Sequence, residues 1–272
     1  MSHSRLTTTV GRLAKAGLQS TLRSLGFELR RYDSNVSSIQ FRRRDWIDDI
    51  DAATRELFKY VESFTMTGIE DIAVLRQAVE YIVRHDIPGD IVECGVWKGG
   101  SMMAIARTLI EHGDATRALY LCDTFSGMTT PTSVDKDFLG IDAQEQMDDA
   151  IPLKSTAHIW AVAPLDAVKR AMSATGYDQA RIQYVRGRVE DTLPCSAPEA
   201  IALLRLDTDW FESTYHEMLH LFPRLVRGGV LIVDDYGHWK GSRLAVDKYL
   251  QETKTQLLLN RINYSARIAV KC

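Results

Sequence analysis

The sequence predicts a doubly wound α/β fold: an open, mostly parallel sheet of seven strands with helices on both faces, preceded by a helical extension. Three observations predict it. Short apolar runs of strand type recur at 91–94, 119–122, 182–185, 202–206 and 230–233, and helical runs separate them. Acidic residues or glycine close several of these runs, at the sheet edge where such folds bind ligands. A chain of 272 residues with 45% hydrophobic content is also long enough to bury one core of this size.

In chain order, residues 1–31 carry six basic side chains (Arg5, Arg12, Lys15, Arg23, Arg30, Arg31) against one acid, Glu28. Val10, Leu13, Leu18, Leu22 and Leu25 fall roughly on one helical face. This arm packs on the domain or a partner subunit, or lies as a basic amphipathic helix on an anionic membrane surface, with Arg42, Arg43 and Arg44 adding charge. It has no signal-peptide core or cleavage site. Residues 45–63 read as a helix with Trp46, Ile47, Ile50, Leu57, Phe58 and Val61 on or near one face. Residues 69–85 read as a second, capped by Thr67-Gly68 and stopped by Pro88-Gly89. The boundary between arm and domain falls at 63/64. Strand 91–94 then runs into Gly95-Val-Trp-Lys-Gly-Gly100-Ser101 and the helical run 102–111. After strand 119–122, residues 126–164 hold Gly127, Pro131, Gly140 and a weakly helical 144–151. That exceeds a normal crossover, which predicts a lid, or else a surface insertion. Strands at 257–259 and 266–270, joined through 260–263, close the sheet as a hairpin.

Two carboxylate pairs carry the chemistry. Asp207 and Asp209 follow one strand, and Asp234 and Asp235 follow the next. Four carboxylates at one edge repel each other and resist desolvation, so a cation is expected among them. Oxygen ligands without His or Cys point to a hard ion, Mg²⁺, Ca²⁺ or Mn²⁺. The alternative makes each Asp the N-cap of the helix that follows. Upstream, glycine at the strand-to-helix turn lets backbone approach a ligand and leaves helix N–H groups free. Asp123, 23 residues past Gly100 at the end of the second strand, is placed to accept both hydroxyls of a ribose. Its alternative is again a cap, opening a turn at Thr124.

Five segments resemble one family in the right order: Gly89-Asp-Ile-Val-Glu-Cys-Gly-Val-Trp-Lys-Gly-Gly100, Asp123-Thr-Phe-Ser-Gly127, Gly187-Arg-Val-Glu-Asp-Thr-Leu-Pro194, Leu206-Asp-Thr-Asp-Trp210 and Val233-Asp-Asp-Tyr-Gly237. They resemble the S-adenosylmethionine-dependent sugar O-methyltransferases, the macrocin, mycinamicin and novobiocin-pathway enzymes, from about Phe64 to the C-terminus. The resemblance implies a class I, Rossmann-like methyltransferase sheet with one antiparallel strand at its end. It also implies Mg²⁺ (or Mn²⁺) on Asp207, Asp234 and Asp235, with Asp209 as base. Gly95, Gly99 and Gly100 would approach the methionine end of the cofactor, Glu93 its amino group, Asp123 the ribose, and residues 187–191, with Arg188 and Val189, the adenine. Trp97, Ser101, Thr124, Phe125 and Asp207 complete that expected contact set. Residues 1–50 do not resemble the antibiotic-pathway members.

The implied chemistry is consistent. An aliphatic sugar hydroxyl is a poor nucleophile, and two vicinal hydroxyls on a divalent cation would be acidified by it. A carboxylate beside the cation then removes the proton. His238, three residues after Asp235, is the rival base. The acceptor is expected to be a sugar diol on a larger glycosylated metabolite or glycan, contacting Met66 and Met128. Methylation of a catechol-like diol, with Tyr60, Phe64, Met66 and Met128 as walls, is an alternative, as is a non-catalytic nucleotide-binding partner protein. With net charge −3 and 25% charged residues, nothing favours nucleic acid. No run of 18 apolar residues exists, which excludes a spanning helix. Cys94, Cys122, Cys195 and Cys272 show no CxxC spacing, and Cys94 and Cys122 sit in predicted core strands. A reduced cytoplasmic homo-oligomer, in possible peripheral contact with a membrane through the arm, fits these features.

Overall fold

The computed structural model of the chain describes residues 49–151 and 158–272. The expectations for the basic arm, for the start of the 45–63 helix and for residues 152–157 of the expected lid lie outside the described residues. Ile50–Cys272 form one compact unit.

Helix α1 (Ala52–Val61) begins at Asp51, whose carboxylate accepts the Thr54 amide at 2.6 Å. Helix α2 (Ile69–Arg84) begins after Gly68, which has no side chain to cap it; Asp71 reaches back to the Gly68 amide at 3.0 Å instead. Strands β1 (Asp90–Cys94), β2 (Leu119–Asp123), β3 (Ile182–Arg186), β4 (Ile201–Leu206) and β5 (Leu225–Val233) are parallel. With β6 (Asn260–Arg261) and β7 (Arg267–Val270), the sheet order is β3-β2-β1-β4-β5-β7-β6, and β7 is antiparallel to both neighbours. The helices between them are α3 (Gly100–Glu111), α4 (Ala143–Asp149), α5 (Leu165–Ser173), α6 (Val189–Thr192), α7 (Phe211–His220) and α8 (Lys240–Thr253).

Strand residues alternate between two cores. Ile91, Leu119, Leu121, Leu203 and Ile232 pack with Ile72, Val79, Met103 and Val168 of α2, α3 and α5. Val92, Cys94, Cys122, Leu204, Leu206, Leu231 and Val233 pack with Met218, Val246 and Tyr249 of α7 and α8. Cover on both faces explains why these strands read as continuous apolar runs. Cys94 and Cys122 are buried free thiols, as expected. Among the described residues no helix is long and apolar enough to cross a membrane.

The strand predicted at 257–259 is displaced. Leu257 and Leu259 pack against the α7/α8 core, and pairing begins only at Asn260, inside the predicted turn. The turn is 262–266, held by Ile262 N–H to Ala266 O at 3.0 Å and by Asn263 Oδ1 accepting the Ser265 and Ala266 amides. Packing of the two leucines outweighs their strand pattern.

Register then aligns the strand ends. Cys94 sits opposite Cys122 and Leu206, and Leu206 opposite Val233. The next residues, Gly95, Asp123, Asp207 and Asp234, therefore share one edge. The described part of segment 126–164 is anchored above it. Asp135, fully buried, accepts from Thr132 N–H at 2.6 Å and from Phe211 N–H at 2.8 Å, at the start of α7. Ala143 and Met147 of α4 pack with Trp210 and Trp239.

Candidate active site

Asp207, Asp234 and Asp235 each offer one ligand oxygen, all within 4.8 Å of one another. They line a cavity of about 640 Å³ together with Glu93, Asp209, Asp71 and His238. The sequence reading expected a cation to be needed among these acids; the fold supplies one of its own. Arg205, side chain 4% exposed, lies opposite Glu93 in the β1–β4 register and contacts Glu93 Oε1 at 2.7 Å. It also contacts Asp207 Oδ2 at 2.5 Å and Asp234 Oδ1 at 2.8 Å. One guanidinium cannot balance the seven carboxylates that line the cavity, Glu70 among them. Burial and mutual repulsion accordingly push Asp209 and Glu93 up to about 7 and Asp71 to about 6, and raise Asp207 and Asp235 well above the usual carboxylate range. Asp209 and Asp235 lie within hydrogen-bonding reach of each other.

Two buried oxygens, Glu93 Oε2 and Asp235 Oδ2, have no donor among the described residues. An acceptor-only set of this kind fits a hard divalent cation at the Asp207–Asp234–Asp235 cluster. Glu93 Oε2 fits an ammonium group.

A narrower cavity of about 90 Å³ lies alongside, lined by Gly95, Trp97, Asp123, Thr124, Arg188, Val189 and Glu190. Met66, Trp97, Asp207 and Asp209 line both cavities. Gly100 and Ser101 line the larger one and Met128 the narrower, away from Asp234 and Asp235. Gly99 and Phe125 line neither: a Cβ on Gly99 would face Val168, and Phe125 belongs to the core.

Three strand ends carry non-glycine residues in the left-handed region: Trp97 (φ 47), Phe125 (φ 52) and Asp209 (φ 68). Such conformations persist only where surroundings impose them. Asp123 imposes two. Its carboxylate accepts from the Val96, Trp97 and Phe125 amides at 2.7, 3.0 and 2.6 Å. The capping alternative for Asp123 is therefore realised; the Thr124 hydroxyl, 3.4 Å from the same carboxylate, donates to Gly127 O at 2.6 Å, which leaves one of the four lone-pair sites for a ligand.

Gly95 and Gly100 line the cavities and also meet a packing need. A Cβ on Gly95 would lie 1.8 Å from the Asp207 carbonyl oxygen, and one on Gly100 2.7 Å from the Phe64 carbonyl. Both admit another stretch of this chain.

His238 Nδ1 lies 3.2 Å from the Tyr264 hydroxyl, among the rings of Phe138, Trp239 and Tyr264. Burial pushes its imidazole pKa down. The sequence reading missed Arg205, Asp71 and Asn263. Arg205 is the sole charge in its apolar strand, a signal without a partner until the register is known. Asn263 Nδ2 donates to Asp71 Oδ1 at 2.6 Å across the cavity wall, a pair 192 residues apart.

The chain is 34% identical over 63% of its length to a tetracenomycin-C rhamnosyl 4'-O-methyltransferase from Streptomyces olivaceus, and spans 62% of that protein. It is 31% identical over 68% of its length to demethyldecarbamoylnovobiocin O-methyltransferase from Streptomyces niveus, spanning 67% of it. The chain thus spans about two thirds of these relatives. The structure of the O-methyltransferase NovP superposes with a TM-score of 0.65 at 28% identity, covering 76% of this chain and 82% of that one. The fold is that of the class I S-adenosylmethionine-dependent methyltransferases. The macrocin O-methyltransferase (TylF) family model matches residues 35–269, and the chain belongs to that family.

Proposed function

We propose that this protein is an S-adenosylmethionine-dependent O-methyltransferase that uses Mg²⁺ or Mn²⁺ and methylates a sugar hydroxyl flanked by a second hydroxyl. The observation that carries the reading is the meeting of Asp207, Asp234 and Asp235 with Asp209 in the larger cavity, with Asp207 and Asp209 also lining the narrower one. The cofactor supplies an electrophilic methyl, and the divalent cation lowers the pKa of hydroxyls that reach it. Asp207, Asp234 and Asp235 would hold the cation. Glu93 Oε2 would take the cofactor's ammonium, Asp123 its ribose, and Arg188 and Val189 its adenine.

Asp209 lines both cavities, so it stands where donor and acceptor must meet and is the base in this reading. His238, already engaged with Tyr264, orients the acceptor from the rim. Met66 reaches the acceptor from the shared wall, whereas Met128 faces the cofactor side. Residues 64–272 carry the catalytic site within the compact unit that begins at Ile50, and residues 126–151 and 158–164 roof it. The rhamnosyl and novobiocin relatives named above support a glycosylated small molecule as acceptor.

Labelled S-adenosylmethionine offered with glycosides and their matched deoxy forms tests the reading. Transfer should need Mg²⁺ or Mn²⁺, stop in EDTA, and fall sharply when the neighbouring hydroxyl is removed. Full turnover in excess EDTA, or equal rates on the deoxy acceptor, would overturn it.

A further inference from the structure

Arg205 belongs to none of the roles above, yet it touches three acids of the site. Its fork holds one oxygen of each: Oε1 of Glu93, Oδ2 of Asp207 and Oδ1 of Asp234. Asp207 and Asp234 each keep a second oxygen, and with Asp235 the two residues offer ligand atoms within 4.8 Å of one another.

We propose that Arg205 is the positioning residue of the divalent-cation site, fixing Asp207 and Asp234 by one oxygen each so that their free oxygens converge with Asp235. The proposal rests on the cation reading. Only a planar, multidentate donor can do this. Lysine carries the same charge but presents a single nitrogen on a flexible stem, and cannot hold three carboxylates in a fixed fork. Pure electrostatics argues the other way: a guanidinium repels a dication, so deleting it should tighten cation binding. Keeping the net charge constant separates the positioning effect from this repulsion.

The test measures Mn²⁺ affinity by the electron paramagnetic resonance signal of free Mn²⁺, on full-length protein. The variants are Arg205→Lys and the double variant Arg205→Met/Glu93→Gln, which removes one charge of each sign. Far-UV circular dichroism checks that each is folded. Loss of an outer-shell partner typically weakens metal binding about 10–100-fold, and a loss of that size is expected in both variants. Should the double variant fail to fold, Arg205→Lys decides alone. A folded Arg205→Lys that binds Mn²⁺ within about twofold of wild type, on that same scale, overturns the proposal and leaves the cation reading standing. Wild-type protein that binds no Mn²⁺ overturns the cation reading itself, and the role of Arg205 with it.

Discussion

Replacing Gly95 by alanine tests the sheet edge most directly. Gly95 has φ +82, and its missing Cβ would stand 1.8 Å from the Asp207 carbonyl oxygen, where real contacts stay beyond 3.0 Å. A left-handed alanine costs about 1–2 kcal/mol. Forcing β1 and β4 apart is an overpacking problem of about 1–3 kcal/mol, since the atom struck is backbone and has no rotamer to escape into. Together the cost is about 2–5 kcal/mol, which for a unit of this size lowers Tm by about 4–20 °C. The carbonyl belongs to a candidate cation ligand, so Mn²⁺ affinity should fall as well. Thermal melting with a Mn²⁺ titration reads both effects. A variant that melts within about 2 °C of wild type and binds Mn²⁺ equally would refute the close approach of the two strand ends.

Three further outcomes are expected. Asp123→Ala removes the acceptor for three amides and a ribose partner, so calorimetry should show S-adenosylmethionine weakened by about 1.5–3 kcal/mol, with a lower melting temperature; unchanged affinity would sink the ribose assignment. Asp209→Asn should reduce turnover by about 10²–10⁴ and leave Mn²⁺ bound; loss of Mn²⁺ instead would make Asp209 a ligand and move the base to His238. Glu217, fully buried and bonded to Thr208 at 2.9 Å, has its pKa raised well above 4.5 by burial. Above pH 4.5 the folded state then binds the proton that the unfolded chain has released, so stability falls as pH rises through that window. Glu217→Gln should flatten this decline in urea midpoints taken between pH 5 and 8, and an unchanged slope would rule Glu217 out as its source.

Much of the fold was legible in the chain because burial on both sheet faces writes each central strand as an apolar run. The five parallel strands lie within a few residues of their predicted positions, apart from the longer start of β5 at Leu225. Prediction failed at the sheet's far edge, where Leu257 and Leu259 look like a strand but pack on a helical face. Asp123 shows a subtler limit: its spacing marked a functional acid, while its hydrogen bonds make it a strut for two strained turns.

Sequence alone determined the strand-end acids, the glycine turn and the family, because these follow from residue type, local spacing and order along the chain. Tertiary structure decided which atoms meet. Register places Arg205 opposite Glu93 and levels the ends of β1, β4 and β5, so that acids far apart in the chain share one cavity. No local pattern encodes a register between β1 and β4, whose strands are over a hundred residues apart. It emerges only when the two apolar faces of the sheet are buried together.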